Sequence, residues 1–183
     1  MFTGDLLEGV FMLVGKRFWG AAAAVALLCL GFAGSATAAP ALTGRPIMNY
    51  QTFQCLAVDD AGYVSNVYLK PCDRTTALQQ WTLQPIGGGL YHIATNGTTA
   101  DGSYCLSMAP ADPVVGWPTM TQPCYLNLTE EQWQLRTGQG GYTAFYSPQD
   151  GRYLDSVDTQ GRGWAVMGPD TGTPTATETW TLL

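Results

Sequence analysis

The chain is poor in charge, and above all in positive charge. Lys and Arg number 8 against 14 Asp and Glu, giving a formal net charge of −6. Lysine occurs only at Lys16 and Lys70, and the arginines are scattered. No basic stripe exists to neutralise phosphates, which argues against a nucleic-acid partner. His92 is the single histidine. Metal sites and Ser/His/Asp or Cys/His constellations therefore have little to work with. His92 falls on an expected strand, where partial burial is the simpler reading. Paired acids at Asp59-Asp60 and Glu130-Glu131 could be set beside the two carboxylates of glycoside hydrolysis, but adjacent acids in loops read as solvated charge. The expectation is no enzyme, no metal and no cofactor. Sustained helical periodicity between caps is missing too.

What is present begins with an export signal. Lys16 and Arg17 precede an apolar run from Phe18 to Ala33, and Ala36-Thr37-Ala38 stands just before Ala39 and Pro40. That order predicts a secretory signal over 1–38, cleaved after Ala38. The rival is a retained anchor, but the run is short for a span of about 20 residues. Cys29 follows Leu27-Leu28 rather than the small residues of a lipoprotein signal. Asp5 and Glu8 are unusual in an n-region, and a start at Met12 would give a more ordinary one. The mature chain, 39–183, is then secreted, of single-domain size, and without another segment long enough to span a bilayer.

Three tryptophans recur at intervals of about fifty residues, which marks an internal repeat. Gln79-Gln80-Trp81, Glu131-Gln132-Trp133 and Glu178-Thr179-Trp180 each continue into a polar residue and Leu. The copies run from about Ile47 to Leu83, Leu90 to Leu135 and Tyr142 to Leu182. Four cysteines remain after cleavage, and an even count in a secreted chain predicts disulfides. Cys55 and Cys105 occupy the same place in copies one and two, as do Cys72 and Cys124. The repeat therefore selects Cys55–Cys72 and Cys105–Cys124 over the other pairings. Zinc is the rival reading, disfavoured by wide spacing and one histidine.

Each copy predicts four short strands. The first are Ile47–Tyr50, Tyr91–Ala94 and Tyr142–Phe145, and the second Cys55–Val58, Cys105–Met108 and Tyr153–Ser156. The third is clearest at Val67–Leu69, and the fourth holds the Trp. Gly87-Gly88-Gly89, Asp101-Gly102, Gly138 to Gly141 and Asp150-Gly151 supply turns. The fold class is all-β, a threefold barrel closed by pairing of the Trp180 strand with Ile47. Trp81, Trp133 and Trp180 are expected in the core.

On these residues the chain resembles the ricin B-type lectins, whose fold is the β-trefoil of three four-stranded repeats with pseudo-threefold symmetry. The Q-x-W signature is intact at Gln79-Gln80-Trp81 and relaxed in the other two copies. Cys55-Leu56, Cys105-Leu106, Cys72 and Cys124 match as well. The resemblance implies up to one shallow sugar site per copy. Each uses an Asp two residues after the first Cys, an aromatic two before the second, and an Asn or similar group three before the Trp.

Carried onto this chain, copy one has Ala57, Lys70 and Leu78 there, and no site. Copy two has Ser107, Gln122 and Glu130, with Asp112 and Trp117 on the following loop as an irregular alternative. Trp117, between Gly116 and Pro118, reads equally as an exposed platform or a plug against the barrel. Copy three has Tyr153 and Pro169 in place of the cysteines. It keeps Asp155, with Met167 at the aromatic and Thr177 at the Asn position. Trp164 reads as core, or as a stacking residue in another register. Asp155 is the leading ligand candidate, and its alternative role is to stabilise a turn.

The expected function is a secreted, non-catalytic carbohydrate-binding domain with one weak site in the third repeat and glycans as partners. The alternative is a β-trefoil protein-interaction module or accessory subunit of a secreted complex or toxin. A protease inhibitor acting through Pro110 to Pro118 is a related option. Asn96-Gly97-Thr98 and Asn127-Leu128-Thr129 are glycosylation sequons.

Overall fold

A computed structural model describes residues 42–61, 64–96, 103–159, 162–169 and 171–183. The predicted signal segment, residues 1–38, lies outside the described residues. Alternating apolar and polar residues form thirteen strands there, with no α-helix among the described residues. They are β1 (Leu42–Arg45), β2 (Ile47–Asn49), β3 (Gln54–Val58), β4 (Val67–Pro71) and β5 (Trp81–Gly87). Next come β6 (Leu90–Thr95), β7 (Tyr104–Met108), β8 (Thr119–Pro123) and β9 (Trp133–Thr137). The last are β10 (Thr143–Ser147), β11 (Arg152–Thr159), β12 (Arg162–Met167) and β13 (Trp180–Leu182). No helix among the described residues is long and apolar enough to cross a membrane.

Strand pairing closes on itself as a barrel. It runs through β10, β11, β12, β4, β3, β2 and β13, and β13 touches β10 again. Closure uses Trp180↔Asn49, Thr181↔Met48 and Leu182↔Ile47, so the last strand meets the Ile47 strand as its sequence position predicts. β5 and β6 form a hairpin with Leu83 opposite Ile93. Its turn places Gly88 at φ 60 and Gly89 at φ 77, a left-handed pair that favours glycine. Among the further hairpins are β3–β4, β7–β8 and β11–β12, one in each copy. β1 is a strand beyond the four predicted for each copy; it pairs with β5 through Leu42↔Leu83 and Arg45↔Trp81. It has no counterpart in the repeat, so periodicity did not mark it.

The core shows why the Trp positions recur. Trp81, Trp133 and Trp180 are all buried. Their indole N–H groups donate to the carbonyls of Leu56, Leu106 and Leu154, each at 3.0 Å. A buried indole N–H needs such an acceptor. Each Trp thereby pins its strand to the second strand of the same copy. The disulfides Cys55–Cys72 and Cys105–Cys124 are formed, each with Cα atoms 5.0 Å apart.

Two residues before each Trp lies a buried polar side chain: Gln79, Glu131 or Glu178. Gln79 uses both ends of its amide. Its Nε2 donates to Pro71 O at 3.0 Å and its Oε1 accepts from the Asp73 amide at 2.8 Å. Glu131 accepts from the Leu128 amide at 3.2 Å through Oε2, and its Oε1 has no partner. Burial pushes the Glu131 pKa up to about 7.

Candidate functional site

The β11–β12 hairpin positions most of the expected third-repeat residues. Its register pairs Asp155 with Val166, Val157 with Trp164 and Thr159 with Arg162. Opposed residues of an antiparallel pair share a face, so these six line one side. Leu154↔Met167 and Ser156↔Ala165 occupy the other side. That side is core, with Leu154, Ala165 and Met167 all buried.

Met167 is therefore a correction. At 3% exposure it cannot stack on a ligand. In the disulfide-linked hairpins the residues opposite the first cysteine are Lys70 and Gln122. The Gly168 amide donates to Tyr153 O at 2.8 Å, which makes Gly168 their counterpart. Without cysteines to anchor it, the sequence alignment is off by one, and a one-residue slip exchanges the faces of a strand. A Cβ on Gly168 would lie 2.6 Å from Glu178 Oε1 and 2.8 Å from Asp155 Oδ2. An aromatic has no room there.

Asp155 and Thr177 are brought together. Asp155 Oδ1 accepts from the Ser156 amide at 2.6 Å, and the Thr177 hydroxyl also bonds the carboxylate. Burial raises the Asp155 pKa, and these two bonds partly oppose that rise. Part of its hydrogen-bonding capacity is thus spent inside the protein, although Asp155 sits within β11 rather than at a turn. Trp164 lies on the same hairpin face, one pair further along.

The loop after β7 is divided between two grooves. Trp117, 39% exposed, lines a groove of about 290 Å³ with Met108, Pro110, Gln122, Leu128 and Glu130. Gln122 Nε2 donates to Ser107 Oγ at 3.2 Å, so the copy-two positions do converge. The Trp117 carbonyl accepts from the Met167 amide at 2.7 Å, and the Arg152 guanidinium stands 5.6 Å from its ring. Asp112 lies elsewhere, in a groove of about 450 Å³ that it shares with Trp164. Trp164 is half-buried rather than core, and packs on Tyr68 with ring centroids 4.7 Å apart.

Copy one has no carboxylate at its Asp position, which is Ala57 and is fully buried. Lys70 forms an exposed ion pair with Asp59 at 3.1 Å. They border a groove of about 350 Å³ with Gln54, Tyr68 and Arg162. Tyr68, Asn66 and Arg162 were not singled out from sequence. Alternation along β4 and β12 sets Tyr68 and Arg162 on the face away from the core residues Val67, Leu69 and Ala165, but does not say which other copy they meet.

No protein-family model matches the chain, and no curated protein matches its sequence. Solved structures do match its fold. The designed 3-fold symmetric protein ThreeFoil superposes with a TM-score of 0.62 at 19% identity, over 76% of this chain and 96% of that one. The Polyporus squamosus lectin, solved with an influenza-binding sialylated epitope, gives 0.58 at 15% identity, over 75% of this chain and 47% of that one. The Haemophilus ducreyi cytolethal distending toxin gives 0.55 at 16% identity, over 75% and 81%. At these identities the likeness is one of fold. The chain is an all-β barrel whose neighbours are β-trefoil proteins, lectins and toxins among them.

Proposed function

We propose that this protein is a secreted, non-catalytic carbohydrate-binding protein of the ricin B type, built as a β-trefoil of three four-stranded repeats. The observation that carries the reading is the pairing of accessible tryptophans with polar side chains in shallow grooves on a lectin-like fold. Trp117 stands beside Gln122 and Glu130, and Trp164 beside Asp112. An indole face takes the apolar side of a pyranose, and charge-assisted hydrogen bonds take its hydroxyls. Two disulfides are compatible with export. The third repeat contributes Asp155 with Thr177, and lacks a stacking partner at Gly168. One such incomplete site supports weak binding, about −4 kcal/mol or millimolar, with avidity from oligomers or a partner. A glycan screen of wild type beside Asp155→Ala and Trp117→Ala tests this. Weakened binding in either variant supports the reading, and undiminished binding in both removes these residues from it.

A specific observation favours the second reading, a protein-interaction subunit. Phe53 is 68% exposed in the left-handed region at φ 56, a costly placement for a bulky side chain. The Asn49 carboxamide oxygen holds that turn through the amides of Gln51 and Thr52, each at 3.0 Å. The toxin neighbour agrees with such a role. Capture of a defined partner that Phe53→Ala releases, with no sugar bound, would favour it.

A further inference from the structure

The groove shared by Asp112 and Trp164 is not the pocket of any one copy. Asn66 immediately precedes β4, Asp112 and Pro118 come from the loop before β8, and Thr159, Arg162 and Trp164 from the β11–β12 hairpin. Two cross-copy bridges tie these segments together, Asn66↔Met120 and Pro118↔Val166. Trp164 itself pairs with Tyr68 across β12–β4. At about 450 Å³ the groove is within the size range of small-ligand sites.

Its polar groups are held in place before any ligand arrives. Asp112 Oδ1 accepts from the amides of Val114 and Val115 at 2.8 and 3.0 Å, leaving Oδ2 available. The Asp112 and Gly116 backbones exchange hydrogen bonds at 2.6 and 2.9 Å, closing the loop into a small hairpin. Among the described residues Arg162 makes no ion pair, and its guanidinium rests 5.5 Å from the Tyr68 ring. Trp164 is braced by Tyr68. The groove thus combines an aromatic wall, a fixed carboxylate oxygen, an amide and an unpaired guanidinium. The carboxylate and the guanidinium offset each other in charge.

We propose that this junction groove binds a neutral pyranose residue of a glycan, stacked on Trp164, with its hydroxyls shared among Asp112, Asn66 and Arg162. The assignment rests on the carbohydrate-binding reading above and places a site where the three copies meet, apart from the pocket of each copy. The acidic alternative, a uronic acid held by Arg162, is disfavoured by Asp112 in the same groove.

The test is an NMR titration of the protein with methyl glycosides of glucose, galactose, mannose and N-acetylglucosamine, and with methyl glucuronide. The expected result is saturable binding of a neutral glycoside that moves the Trp164 indole signal. Affinity should fall at least tenfold in Trp164→Ala and in the surface variant Arg162→Gln, and hold in the charge-matched control Arg74→Gln. Binding that survives both groove variants overturns the junction site while leaving a lectin in place. No binding of any glycoside by wild type overturns the carbohydrate reading itself. Preference for the glucuronide overturns the neutral-ligand assignment.

Discussion

Trp164 of β12 packs on Tyr68 of β4, with ring centroids 4.7 Å apart and planes at 57°. This tilted contact joins the third hairpin to the first and gives the junction groove its aromatic wall. Tilted pairs contribute about 0.5–1.5 kcal/mol beyond buried area. A double-mutant cycle on Tyr68→Leu and Trp164→Leu, read by urea unfolding, should return a coupling of that size. A coupling near zero would mean that the rings are neighbours without bracing each other.

The three indole-to-carbonyl bonds and full burial make the core tryptophans costly to truncate. Trp133→Ala should lose about 3–5 kcal/mol, from lost burial and the cavity left behind. Trp117→Ala, at an exposed position, should cost much less. Thermal or chemical denaturation of the two variants side by side checks the contrast.

Replacing Cys55 and Cys72 together with alanine releases a cross-link between residues 17 apart in sequence. The chain-entropy model gives a cost of about 3 kcal/mol. The Cys105/Cys124 pair, 19 apart, should behave alike. Unfolding midpoints with and without a reducing agent measure both, and the double-alanine variants should no longer respond at the missing bridge.

Glu131 should make the fold prefer mildly acidic conditions. Burial raises its folded pKa to about 7 from an ordinary 4.5. The folded state therefore holds the proton more tightly. The associated stability is fully present below the unfolded value and is lost as pH rises through about 7, by about 3 kcal/mol at most. Glu131→Gln should remove that slope and raise stability at pH 8, since Gln79 satisfies both ends of the same position in copy one. His92, whose pKa is lowered by burial, works oppositely: its contribution is present above its unfolded pKa and is lost as pH falls. Urea midpoints across pH 5 to 8, for wild type and Glu131→Gln, decide it.

Much of the architecture was legible in three similar Trp-bearing segments. The Trp spacing, the Leu beside each first cysteine and the matched cysteines located the strands, the disulfides and the barrel closure. β1 was not legible, since it stands outside the repeat and is identified by its partner β5. Sequence places the copy-three hairpin one residue out of register, because Tyr153 and Pro169 replace the cysteines that anchor the other two. That slip put Met167 at a position that Gly168 holds.

The sequence alone determined which side chains are apolar, where turns fall and which cysteines correspond, and burial of three equivalent tryptophans follows from those local and periodic features. Tertiary structure decided the company each polar side chain keeps. Asp112 and Trp117, five positions apart on one loop, enter different grooves, while Asn66, Asp112 and Trp164 meet across three segments. The reason is closure. A barrel brings the outer hairpins together by strand pairing, and only the paired register states which outward residue faces which.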